Sequence, residues 1–120
     1  MNSVCILLTD HESVNEKIII KSYRYLLNVK INQIIFIGSK TKFKKIFEKF
    51  KKKNKFKFIN ININKNDFFE YLKNITNEAI KISKKKNDTL ILNMPLNKKK
   101  FFENKFAGFT EFFSYCVDKK

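Results

Sequence analysis

Ile34-Ile35-Phe36-Ile37-Gly38 opens the stretch that decides the fold, and Phe56-Lys57-Phe58-Ile59-Asn60-Ile61-Asn62-Ile63 closes it. The first run is continuous, as in a strand covered on both faces of a parallel sheet. The second alternates, which is the pattern of a half-covered strand nearer an edge. Between them Phe43, Ile46, Phe47 and Phe50 stand at i, i+3, i+4 and i+7, one face of a helix. Strand, helix and strand in this order form a parallel βαβ unit.

The same alternation extends outward. Runs 4–8 and 89–92 are continuous and predict two more strands covered on both faces. Before 34, Ser13-Val14-Asn15-Glu16 fits a capping box, and Ile18, Ile19, Tyr23, Leu26 and Leu27 make an apolar face. After 63, Phe68, Leu72, Ile75, Ala79 and Ile82 repeat at helical spacing, with Asn66 as N-cap and Asp67 and Glu70 in the first turn, where the dipole favours acids. The expectation is an α/β fold: an open, mostly parallel sheet of about four strands with intervening helices and right-handed crossovers. Residues 1–120 read as a single domain with no repeat and no internal boundary.

Lys, Ile, Asn and Phe supply 70 of the 120 residues. These are the amino acids whose codons need only A and T, so an AT-rich genome accounts for the bias and inflates the net charge of +15. The hydrophobic fraction of 43% is enough for a core and argues against disorder. No apolar run approaches the roughly 20 residues of a membrane span. Run 4–8 is too short for a signal peptide. Cys5 and Cys116 fit free, packed thiols in a reducing cytoplasm, Cys5 as an inert small hydrophobe inside a strand. The single histidine, His11, has no orienting partner in sequence and reads as a surface-loop residue rather than a general base. Metal-ligand spacing is absent.

In open α/β sheets ligands bind beyond the carboxyl ends of the strands, here 9–16, 38–42, 64–67 and 93–111. The last segment holds Pro95, the only proline, and Gly108, one of two glycines. Their presence in so Gly- and Pro-poor a chain predicts a fixed turn at Pro95 and a close backbone approach at Gly108.

Met94-Pro95-Leu96-Asn97-Lys98, followed by Gly108-Phe109-Thr110-Glu111-Phe112, resembles the 4-hydroxythreonine-4-phosphate dehydrogenase family of vitamin B6 synthesis. That family carries a Gly-Pro-(Ile/Val)-(Asn/His)-Lys turn after a strand, then Gly-His-Thr-Glu-Phe. The family's N-terminal glycine-rich loop falls on Thr9-Asp10-His11-Glu12-Ser13-Val14-Asn15-Glu16-Lys17-Ile18, where only Asp10 and Ile18 match. The resemblance implies part of an isocitrate/isopropylmalate-dehydrogenase-like fold. By resemblance the substrate-binding positions are Asn97, Lys98, Phe109 (histidine in the family) and Thr110. Read without the family, Thr110 is a first-turn or capping residue of a helix, and Lys98 a solvated lysine. The intact family uses NAD and a divalent metal for an oxidative decarboxylation. Its metal-binding histidines lie beyond the matched motifs, so the chain alone is expected to hold no cofactor, no metal and no catalytic residue. The resemblance therefore implies a truncated or degenerate homologue, inactive alone. Its expected partner is a second copy or a separate C-terminal chain, and the chain could equally be the non-catalytic subunit of a split enzyme.

The rival class is a basic nucleic-acid-binding α/β domain. Lys51-Lys52-Lys53-Asn54-Lys55-Phe56-Lys57-Phe58 interleaves cations and aromatics. Against it, Arg24 is the sole arginine, and the phenylalanines fall at core periodicities. The expectation is non-specific polyanion binding at low salt without a dedicated site, and no membrane association.

Overall fold

Continuous apolar strands with long apolar helices between them can bury both sheet faces in one way, with helices above and below. The structure, a computed structural model, describes residues 2–12, 15–65 and 67–118. Its elements in chain order are β1 (Ser3–Leu7), α1 (Asn15–Lys21), α2 (Tyr23–Asn28), β2 (Gln33–Gly38), α3 (Lys44–Phe50), β3 (Phe56–Asn60), α4 (Phe68–Lys85), β4 (Thr89–Asn93), α5 (Lys98–Phe102) and α6 (Phe109–Asp118). The four strands are all parallel, in the order β3-β2-β1-β4. The expected α/β open parallel sheet is what the chain forms.

Alternate residues of the central strands feed two cores. Val4, Ile6, Ile34 and Phe36 pack with Ile19, Phe43, Ile46 and Phe50 on the α1–α3 side. Cys5, Leu7, Ile35 and Ile37 pack with Tyr71, Leu72, Ile75 and Phe112 on the α4–α6 side. Each strand residue thus serves one face, which is why both central runs are wholly apolar.

Several local expectations change. Run 89–92 is not covered on both faces. β4 is the second edge of the sheet, and Leu90 and Leu92 are 43% and 45% exposed. They lie on the α1–α3 side, in register with Val4 and Ile6, whereas the helices after β4 pack on the other side. The helix after β1 is broken. The Ser22 hydroxyl bonds back to Ile18 O at 2.8 Å, and its amide is shared between the Ile18 and Ile19 carbonyls, so α1 stops and α2 restarts. Ile19 takes the core position, and Ile18 is exposed. The capping residues Ser13 and Asn66 lie outside the described residues. The Glu16 carboxylate accepts from the Lys45 and Ile46 amides at 3.0 and 3.3 Å and so caps α3. Asp67, whose side chain accepts from the Glu70 amide at 3.1 Å, is the N-cap of α4.

The close backbone approach is at Gly38, not Gly108. A Cβ on Gly38 would lie 2.6 Å from Leu8 Cβ and 2.8 Å from the Tyr71 hydroxyl, whereas one on Gly108 would meet nothing nearer than a flexible Glu111 oxygen at 3.4 Å. Parallel β1 and β2 end side by side, and the Tyr71 ring from α4 is driven between their ends.

Candidate functional site

Strand order reverses at β1, whose neighbours lead away in opposite directions, so the carboxyl ends of β1 and β4 are the switch point, the crevice position of open α/β sheets. The loop after β1 meets the loop after β4 there. The buried Thr9 hydroxyl lies 3.1 Å from Met94 O and 3.3 Å from Pro95 O. The buried Asn15 amide donates to Pro95 O at 2.8 Å and to Asp10 O at 3.2 Å. Asp10, 4% exposed, accepts from the Asn97 amide at 3.1 Å and from the Glu12 amide at 3.0 Å. The Lys100 ammonium stands 3.4 Å from Asp10 and also pairs with Glu12. It rests over the Phe68 ring, 4.1 Å from the centroid. The hydrogen bond and charge of Lys100 hold the exposed Glu12 carboxyl below its ordinary pKa.

His11 is not a solvated loop residue. Its ring is half-buried, with centroids 6.5 Å from Phe43 and 6.1 Å from Phe68. Burial, then the charges of Lys100 and Lys42, lower its pKa from 6.5, so it is neutral at physiological pH. Its Nδ1 is buried without a hydrogen-bond partner among the described residues. An open cleft of about 590 Å³, lined in part by His11, Glu12, Glu16 and Lys45, lies beside it.

The proposed substrate positions separate. Asn97 sits at the crevice mouth, where its backbone donates to Asp10 and its side chain caps α5 by accepting from the Lys100 amide at 3.2 Å. Lys98 is exposed and makes no ion pair among the described residues; the ammonium that reaches the crevice is that of Lys100. Thr110 is exposed in the first turn of α6. Phe109 is half-buried, 6.0 Å from both Phe112 and Phe113, against the α4–α6 core. Among the described residues no hydrogen bond joins Thr110 or Phe109 to the crevice.

Tyr71, Asn15 and Lys100 were not legible as site residues. The Tyr71 hydroxyl accepts from the Ser39 amide at 2.9 Å and donates to Leu8 O at 2.5 Å. Burial holds its phenol well above the ordinary range. Burial likewise pushes the Cys5 thiol up to about 11, and Cys5 and Cys116 are both buried.

Asp10 and Glu12 are already joined to one ammonium, and no group of three or more His, Cys, Asp or Glu side chains is gathered among the described residues. Among the described residues no helix is long and apolar enough to cross a membrane. No family model, curated protein or solved structure matches this chain.

Proposed function

We propose that the chain is a degenerate relative of the 4-hydroxythreonine-4-phosphate dehydrogenases, without turnover of its own, acting as a non-catalytic α/β partner. One observation carries the reading. The Asp10 carboxylate accepts from the Asn97 amide at 3.1 Å, so two of the three segments aligned with the family, 9–18 and 94–98, meet after β1 and β4, while 108–112 stands apart. The chemistry in that crevice argues for loss of activity. Its polar groups bond to one another, and the side chain at the family's histidine position, Phe109, offers neither a donor nor an acceptor. Fold alone confers no reaction, and the reading rests on these contacts.

The test is direct. The purified chain is titrated calorimetrically with 4-phosphohydroxythreonine, and NADH formation is followed with magnesium or zinc present. Neither binding nor turnover is expected. Metal-dependent NADH formation, or saturable binding lost in Asn97→Ala and Thr110→Ala, overturns the proposal.

A further inference from the structure

Residues 40–57 hold ten lysines and one glutamate, so nine of the fifteen net positive charges fall on α3 and its flanks. The lysines are far less evenly spread than a uniform codon bias would leave them. Lys55 is structural, donating to the Leu27 and Val29 carbonyls at 2.9 and 2.7 Å where α2 ends. Lys51 pairs with Glu48 at 2.9 Å. The other eight lysines of the stretch are exposed.

Part of this charge borders a groove of about 190 Å³ beside the β3 edge, lined by Phe47, Phe58, Phe50, Phe56, Lys51 and Lys57 among others. Phe50 and Phe56 are buried there. Phe47 and Phe58 are half-buried and stand perpendicular, 5.6 Å apart, so ring surface remains open. The Lys40 and Lys51 ammoniums lie 3.9 and 5.7 Å from the Phe47 centroid. Aromatic surface and cations therefore share a space the size of one nucleotide.

We propose that the β3-edge groove binds single-stranded nucleic acid, with one base seated in the corner of the perpendicular Phe47 and Phe58 rings and flanking phosphates on Lys40 and the exposed lysines of 51–53. Charge complementarity selects a polyanion, and the accessible rings select one with unstacked bases over a duplex or an acidic peptide. Lys57 puts an exposed charge in the edge strand, which discourages strand addition by another polypeptide. The stretch contains no arginine for bidentate base contacts, so binding is tolerant of sequence. This inference is independent of the crevice.

Fluorescence anisotropy of labelled oligothymidine of about 15 nucleotides, and of an abasic oligonucleotide of equal length, tests it on the full chain. Oligothymidine is expected to bind about tenfold more tightly than the abasic strand. With about four phosphates contacted, its affinity falls about 50-fold between about 50 and 200 mM salt. Phe47→Leu with Phe58→Leu brings oligothymidine down to the abasic level and leaves abasic binding unchanged. Equal affinity for the two strands in the unaltered chain overturns the proposal. Because both rings pack in a core, amide chemical shifts of the unaltered chain provide a second measurement. Perturbations confined to 40–58 support the groove, and perturbations centred on 96–111 or spread over all lysines overturn it.

Discussion

The crevice at β1 and β4 and the groove at β3 differ in how their polar groups are satisfied. In the crevice, two carboxylates share the Lys100 ammonium, and Thr9, Asn15 and Asp10 bond to backbone groups of the facing loop. A ligand entering there would have to break bonds the protein already makes. At the groove Lys40, Lys51 and Lys57 stand beside partly buried rings, and the only acid in the stretch 40–57 is Glu48. Position in the fold favours the first as a binding site; unspent charge and aromatic surface favour the second. Where polar groups have already found partners in the chain, a topologically favoured cleft becomes part of the framework.

The largest effect that could break this contrast is on stability. Asp10→Ala leaves the Asn97 and Glu12 amides without their acceptor and Lys100 without its buried partner, a loss of about 3 kcal/mol. Chemical denaturation checks it, and an unchanged midpoint would mean that the crevice is not a framework element. Next in size, Lys51→Gln, Lys52→Gln and Lys53→Gln together should lower oligothymidine affinity by at least about tenfold near 50 mM salt and flatten its salt dependence. Their unfolding midpoint should stay put, since these side chains are exposed. Lys98→Gln with Lys99→Gln is the matched control and should alter neither.

A smaller shift is expected from Phe109→His. The ring is half-buried, so exchanging it for imidazole costs about 1 kcal/mol, less than full burial of such a side chain is worth. It should also fail to create affinity for 4-phosphohydroxythreonine, since the crevice polar groups remain engaged. Denaturation and calorimetry on this one variant sharpen the distinction between a damaged site and a rebuilt one. The smallest effect is on pH dependence. His11 has a lower pKa folded than unfolded, so the unfolded chain binds more protons as pH falls below 6.5, and stability drops there. His11→Gln should remove that part of the slope.

The sheet was legible because its signal is binary. Residues 34–38 and 4–8 have no polar side chain to place, so each reads as a strand covered on both faces. The same rule misread 89–92, since Leu90 and Leu92 are apolar but lie where the helices after β4 turn to the other face. Nothing local to 89–92 encodes which face a later helix covers. The crevice was legible in outline from its place after β1 and β4, and its chemistry was not. Lys98, Lys99 and Lys100 are identical in sequence, and only the start of α5 at Lys98 turns the third inward. Tyr71 looked like one more residue of an amphipathic helix; what distinguishes it is a glycine far away in sequence, Gly38, whose missing side chain leaves room for its hydroxyl.

That hydroxyl also has a dynamic consequence. It ties the end of β1, through Leu8 O, to the start of the loop after β2, through the Ser39 amide, while its own backbone belongs to the longest helix. Leu8 leads directly into the crevice loop, and Ser39 into the lysine-rich stretch. Swinging either loop at its root breaks one of the two hydrogen bonds of a phenol that α4 holds against the strand ends. Isotope exchange would read this as a single slow opening event. The Ser39 amide, although it lies in a loop, would exchange on the timescale of the central strands, as a pivot about which both loops move only at their tips.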